Sequence, residues 1–265
     1  MKEHAMATQN LDFAGKVVLV TGGTKGVGAG IARSFLAAGA RVLVCGRNAP
    51  ETLPAADGRQ AEFLPADVRD ADSLATLFAV IEERCGRLDV LVNNAGGSPH
   101  VLADEASPRF HEGIIRLNLI APLNVAQHAN RLMQRQEQGG VIVFIGSISA
   151  LRPSPGTAAY GAAKAGVLAL VTSLAVEWAP KVRVVTVSPG LVRTEQAHLH
   201  YGDEQGIAAV GATIPAGRMA SPEDIGNACL YIASPLAGYA SGCNLLLHGG
   251  GERPAFLAAA NSAHQ

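Results

Sequence analysis

Aromatic residues are scarce in this chain: Phe, Tyr and Trp make up 5% of its 265 residues, with a single Trp. Any core must therefore be aliphatic, drawn from the Val, Leu, Ile and Ala that dominate a hydrophobic fraction of 48%. An excess of charge is missing too, with 21 Lys and Arg against 22 Asp and Glu, a formal net charge of -1 and a pI near 6.7. No basic field is available to draw in nucleic acid or an anionic membrane. The four cysteines (Cys45, Cys85, Cys229, Cys243) form no CxxC pair, which predicts reduced, mostly buried thiols rather than a disulfide framework or thiolate metal site. No run approaches the roughly 18 apolar residues of a membrane span, and Met1–Phe13 is polar, without the apolar stretch of a secretory signal. These absences predict a cytoplasmic protein with no nucleic-acid or membrane partner. Repeats, low-complexity tracts and linkers are also lacking, so one domain is expected over residues 1–265.

What is present is alternation. Short aliphatic runs at Val17–Val20, Arg41–Cys45, Ala61–Leu64, Val90–Val92, Val141–Ile145, Val182–Val187 and Leu245–Leu247 are rich in β-branched residues and apolar on both faces. That is the pattern of strands buried in a parallel sheet. Between them lie helical segments at Gly28–Ala38, Asp70–Cys85, Pro108–Gln136, Ala158–Ala179 and Pro222–Ala233. Alternation of this kind predicts an α/β fold, a Rossmann-type doubly wound parallel sheet of about seven strands with helices on both faces. Ser221-Pro222-Glu223-Asp224 carries an N-cap serine, a first-turn proline and first-turn acids, and Gly39 stands where a helix C-cap glycine belongs. Arg47–Gln60, with two prolines and a glycine, predicts a loop or a single turn.

The first strand runs directly into Gly22-Gly23-Thr24-Lys25-Gly26-Val27-Gly28. Glycines at 22, 26 and 28 allow a sharp turn, close approach of a pyrophosphate and tight packing of the next helix. That helix aims its free N–H groups at the anion. The spacing Thr-Gly-x-x-x-Gly-x-Gly resembles the short-chain dehydrogenase/reductase family, and the resemblance runs from about Phe13 to Gly250. Asn93-Asn94-Ala95-Gly96 is similar to the family's NNAG element, which lines the cofactor cleft. Asp67-Val68 matches the position that meets the adenine ring, and Pro189-Gly190, Val192 and Thr194 the loop at the carboxamide end of the nicotinamide. The resemblance thus implies Gly22, Thr24, Lys25, Gly26, Val27, Gly28, Asp67, Val68, Asn94, Ala95, Gly96, Pro189, Gly190, Val192 and Thr194 as cofactor residues.

The choice of nicotinamide turns on the end of the second strand, where an acid reads the ribose 2′-OH and a cation accepts a 2′-phosphate. Here the strand ends Cys45-Gly46-Arg47-Asn48, with glycine where the family's selective aspartate falls. Arg47 and Lys25 predict NADP(H) over NAD(H).

Tyr160 and Lys164 share one helix face at i, i+4. A free phenol titrates near 10, and a neighbouring ammonium is expected to lower it, with Lys164 also bonding the nicotinamide ribose. Ser147, thirteen residues before Tyr160, stands at the family's offset and would orient the substrate oxygen. Asn118 matches the asparagine that disturbs its helix and holds a water of the proton relay. The resemblance implies hydride transfer from the pro-S face to a small-molecule carbonyl, or its reverse from an alcohol, and no metal. His198 and His200 form only an alternating pair in a stretch read as extended, without the rest of a metal set. Enoyl reduction, epimerisation or dehydration within the family, and a non-catalytic NADP(H)-sensing regulator, are the alternatives.

Glu195–Gly217 is long and glycine-spaced, which predicts a mobile lid over the substrate, with His198, His200, Tyr201, Leu151, Arg152 and Pro155 around the pocket. One departure from the family is His248, before Gly249-Gly250-Gly251, where an aspartate is usual; a tail, 252–265, follows. The resemblance also implies a homotetramer or homodimer.

Overall fold

The computed structural model describes residues 11–256; the polar N-terminus before Leu11 and the tail beyond Phe256 lie outside the described residues. The aliphatic runs become β1 (Val17–Thr21), β2 (Arg41–Gly46), β5 (Glu62–Pro65), β6 (Val90–Asn93), β7 (Gly140–Ile145), β8 (Val182–Pro189) and β9 (Asn244–Leu247). They form a seven-stranded sheet in the order β5-β2-β1-β6-β7-β8-β9. Every pairing is parallel, with β1 and β6 in register at Val18–Val90, Leu19–Leu91 and Val20–Val92. Between β2 and β5 the chain makes a small hairpin, β3 (Ala55–Ala56) against β4 (Arg59–Gln60), where composition predicts only a loop or turn. Its two-residue turn is Asp57-Gly58, both at positive φ, and Asp-Gly is a preferred pair there.

Helices cover both faces. One face carries α1 (Gly26–Ala37) and α8 (Pro222–Ala233), packed on Val18, Val20, Val185 and Val187. The other carries α2 (Ala71–Cys85), α4 (Ala121–Arg135) and α5 (Ala158–Glu177), over Leu19, Leu91, Ile142 and Phe144. The ends obey local rules: Asp70 caps α2 through Ser73 N–H, Gly86 closes it in the left-handed region, and Ser221 and Asp224 form a capping box on α8. α1 and α8 cross through small residues. A methyl on Gly30 would fall 2.3 Å from Pro222 Cβ, and one on Gly226 would fall 2.2 Å from Ser34 Oγ.

The stretch predicted as one helix over 108–136 is three pieces: α3 (Pro108–Ile115), a π-helical turn over Arg116–Ile120, and α4. The amide of Ala121 reaches back five residues to the carbonyl of Arg116, which inserts one extra residue at Asn118. By length and hydropathy alone α5 passes for a membrane span, contrary to expectation. It nevertheless lies on the sheet, with Val167, Val171 and Leu174 in the core. All four cysteines are free; Cys45 and Cys229 are buried, Cys85 and Cys243 only partly so.

β1, β2 and β5 step one way across the sheet, and β6 through β9 the other. The strand order thus reverses between β1 and β6, and a crevice opens there beyond the carboxyl ends of the strands, where ligands bind in open α/β sheets.

Candidate active site

The crevice is a cleft of about 710 Å³, lined by the glycine turn, the end of β2, the segment after β5 and the segment after β6. Its floor is a clasp between the ends of β1 and β6. Asn94 N–H and Ala95 N–H both donate to Thr21 Oγ1 at 3.0 Å, and Asn94 Nδ2 donates to the carbonyls of Thr21 and Gly22. Gly28 has no room for a side chain, because a methyl there would meet Gly22 O at 2.3 Å and Asn94 Nδ2 at 2.5 Å. Gly22 and Gly26 hold positive φ. The first turn of α1 therefore faces a cleft kept open by missing side chains, which fits a dinucleotide's pyrophosphate.

At the β2 end, Arg47 and Lys25 are both exposed and both line the cleft. Gly46 is not forced by crowding, since the nearest atom to a methyl there, Phe63 Cε2, would be 3.8 Å away. Asp67 lies opposite and is clamped by Arg69, whose Nε and Nη2 donate to its two oxygens at 3.0 and 2.7 Å. That pairing holds the Asp67 carboxyl down at about 2. Arg69 also lines the cleft and escaped the sequence analysis, although an arginine two residues after the adenine-site acid was a readable signal.

Ser147 sits just past β7 and Tyr160 and Lys164 in the first turns of α5, so sheet and helix converge on them. The amide of Ser149 donates to Ser147 Oγ at 3.1 Å, and the Ser147 hydroxyl lies near enough to the Tyr160 phenol to act on its titration. Lys164 is 5% exposed; its Nζ donates to Ile145 O at 2.8 Å and stands 5.5 Å from the Tyr160 ring centre. Burial pushes the lysine down to about 8. The phenol moves opposite to expectation. Burial raises it, and the neighbouring Ser147 hydroxyl opposes that only in part.

Asn118 is fully buried in the π turn. Its Oδ1 accepts from Gly97 N–H at 2.9 Å, while its Nδ2 donates to Gly97 O and Ile114 O, both at 3.0 Å. Both donors are used and Oδ1 accepts at the same time, so three hydrogen bonds fix the amide. A methyl on Gly96 would lie 2.6 Å from Asn118 Oδ1 and 3.5 Å from Lys164 Nζ, so these two groups meet across that glycine at the edge of the cleft.

Of the other expected cofactor residues, Gly22, Thr24, Val27, Val68, Ala95 and Thr194 line the cleft. Pro189, Gly190 and Val192 do not. They carry the loop instead: Gly190 N–H donates to Leu247 O at 2.7 Å, and Val192 bridges to Ala220. The segment read as a glycine-spaced lid over 195–217 is folded, with α6 (His198–Tyr201) and α7 (Glu204–Thr213) closing on a small core of Ala197, Ile207, Ile214 and Met219. His198 and His200 thus lie on a helical turn rather than an extended strand, and no metal-holding cluster exists among the described residues. Arg152 pairs with Glu252 at 2.8 Å, close enough to Tyr201 for both charges to act on its phenol. His248 lines a separate cavity of about 250 Å³ with Leu191, Ile214 and Leu247.

Three comparisons bear on this arrangement. The family profile described as enoyl-(acyl carrier protein) reductase matches residues 22–252. The chain is 35% identical to the 3alpha-hydroxysteroid dehydrogenase of Mediterraneibacter gnavus, over 86% of this chain and 93% of that one. It is 32% identical to the 3-oxoacyl-(acyl-carrier-protein) reductase FabG of Escherichia coli, over 91% and 98%. The ligand-free structure of Thermoplasma acidophilum aldohexose dehydrogenase superposes with a TM-score of 0.83 at 28% identity, covering 91% of this chain and 94% of that one.

The buried lysine has a measurable consequence. Below about pH 8 both folded and unfolded Lys164 are charged, and the fold carries the full cost of burying the ammonium. Between there and the ordinary lysine value the unfolded chain holds more protons, so stability rises with pH. Relative to Lys164→Met, the wild type should gain about 2–3 kcal/mol between pH 7 and pH 10 in urea unfolding. A difference that stays flat across that range would show that Lys164 is not desolvated.

Proposed function

The chain belongs to the short-chain dehydrogenase/reductase family, and from that premise we propose that it moves a hydride between NADP(H) and a ketone, aldehyde or secondary alcohol, with Tyr160 as general acid and base. The observation that carries this reading is the convergence of Ser147, its Oγ fixed by the Ser149 amide, and the buried Lys164, bonded to Ile145 O and 5.5 Å from the ring centre of Tyr160, on that one phenol. The nicotinamide supplies or accepts the hydride. Ser147, its oxygen fixed by the Ser149 amide, presents its hydrogen to the substrate oxygen. Tyr160, its phenol raised by burial, stays protonated near neutrality and delivers that proton to the oxygen of a carbonyl being reduced. Lys164 holds its position through Ile145 O, and Asn118 holds the segment after β6 that borders both groups.

The family profile's own description favours a second reading, reduction of an enoyl double bond. The ketone reading draws support from Tyr160 and Lys164 standing four residues apart and from the hydroxysteroid and 3-oxoacyl names of two relatives. A panel of ketones, aldehydes, secondary alcohols and an α,β-unsaturated acyl thioester separates the two. Turnover is expected with a carbonyl or alcohol and not with the thioester. Tyr160→Phe should keep cofactor binding and lose about 10²–10⁴-fold in kcat. A protein that binds the cofactor and turns over nothing would instead be a sensor.

Selectivity for the 2′-phosphate rests on Arg47 at the cleft, on a Gly46 that leaves room where an acid would stand, and on an Asp67 already neutralised by Arg69. Fluorescence titration should show NADPH bound about tenfold or more tightly than NADH, with the preference abolished in Arg47→Asp. Equal affinities in the wild type would refute the assignment.

We further propose a cytoplasmic setting, supported by the four unpaired thiols. Self-association as a homotetramer or homodimer belongs to the same proposal. Val176, Tyr231, Leu236 and Tyr239 are large apolar or aromatic side chains left in water, with Val176 80% exposed. Light scattering at micromolar concentration should give two or four times the 27.2 kDa chain mass, and a monomer would dismiss it.

A further inference from the structure

One contact at the cleft has no part in the chemistry above. The amide of Gly26, the first residue of α1, donates at 2.8 Å to Oε1 of Glu195, a residue 169 positions further along the chain. α1 has no other side-chain cap: Lys25 at its N-cap makes no capping bond, and its first turn contains no acid. Glu195 therefore supplies from a distance what Ser, Asp or Asn supplies locally at other helices. Its carboxylate has no ion-pair partner among the described residues, since neighbouring Arg193 pairs with Glu204 instead. Thr194, one residue before, lines the cleft, as does Gln196, one residue after. A negative group thus stands at the helix end that the glycine turn opens toward a pyrophosphate.

Resting on the dinucleotide reading of the cleft, we propose that Glu195 sets the affinity for the cofactor by occupying the anion-binding end of α1, which a pyrophosphate must take from it. One N–H cannot serve two acceptors at full strength, and two anions sharing a helix N-terminus repel one another. The observed affinity is then what the pyrophosphate gains less what Glu195 gives up. The displacement reaches α6 as well. The carbonyl of Glu195 is bonded to His198 Nδ1 at 3.0 Å, so the carboxylate and the first turn of α6 belong to one short segment. A dinucleotide arriving at α1 releases that segment from the helix end, and a departing one lets it return.

The test uses the full chain with Glu195→Gln, which removes the charge and keeps an acceptor, and Glu195→Ala, which removes both. Glu195 is exposed, so neither change disturbs the core. Binding is read by fluorescence or calorimetric titration with NADPH, NADH, ADP-ribose and 2′-AMP, without any turnover. Both variants should bind the three pyrophosphate-bearing ligands about 3–10-fold more tightly than the wild type, while 2′-AMP, which lacks the pyrophosphate, binds unchanged. Unchanged or weaker binding of ADP-ribose would overturn the proposal. Equal tightening of 2′-AMP would overturn it too, by showing a general field effect rather than competition at α1. Because NADPH and NADH are compared within each variant, loss of the 2′-phosphate preference would be visible separately and would leave the Glu195 result standing.

Discussion

The clasp between the ends of β1 and β6 is the constraint on which the rest of the site depends. Two adjacent strands that run onward in opposite directions across the sheet leave their last carbonyls and amides unpaired, and something must satisfy them. Thr21 and Asn94 do so with four hydrogen bonds between side chain and backbone. That satisfaction has a steric condition: Gly28 must lack a side chain, or it would collide with the same Gly22 carbonyl and Asn94 amide. The glycine that lets the clasp form also lets α1 sit close beneath the cleft. Structural economy and phosphate binding therefore call for the same residue.

From the clasp the chain continues to Gly96, and there the second half of the site is attached. Asn118 and Lys164 arrive from opposite elements, a π turn and a long apolar helix, and meet across a residue with no side chain to keep them apart. The π turn is the means by which a buried amide reaches Gly97, since the inserted residue turns Asn118 inward and its amide takes up Ile114 O. The lysine is the costly member. It is buried with a single backbone acceptor at Ile145, and Tyr160 beside it is raised by its own burial, so both groups are charged in this site only at a cost.

Much of this was legible before any coordinates. Strands buried on both faces announce themselves as unbroken aliphatic runs, and all seven fall where the runs predict. The glycine turn, NNAG and the Tyr-Lys pair could be placed because each is a local spacing on one element. What stayed hidden depends on contacts between distant segments. Arg69 gripping Asp67 is nearly local and was missed for want of a reason to look; Glu195 on Gly26 spans 169 positions and leaves no local trace. The fold of 195–217 was misjudged because glycines at 202, 206, 211 and 217 read as a loop, whereas Asp203 caps a helix through Gly206 N–H and Ile207 and Ile214 bury themselves in a core of their own. The π turn was readable only through resemblance, since periodicity alone runs straight through it. The phenol's shift followed from burial, which no spacing reveals.

Charge along the cleft is therefore graded rather than uniform. At the β2 end Arg47 and Lys25 make no ion pair among the described residues, and Asp67, the carboxylate that lines the cleft there, is gripped by Arg69. At the α1 end the positive helix terminus is itself covered by Glu195. On the readings proposed above, NADP(H) would meet attraction at its adenosine phosphate and resistance at its pyrophosphate. Every ligand with a pyrophosphate would meet the same cost of displacing Glu195, so that contact lowers the affinity for both nicotinamides alike and leaves the choice between them to the group that faces Arg47. Affinity for the dinucleotide and the position of the 195–201 segment are on this account linked through one helix end, because the free energy the pyrophosphate gains there must exceed what Glu195 gives up in leaving it.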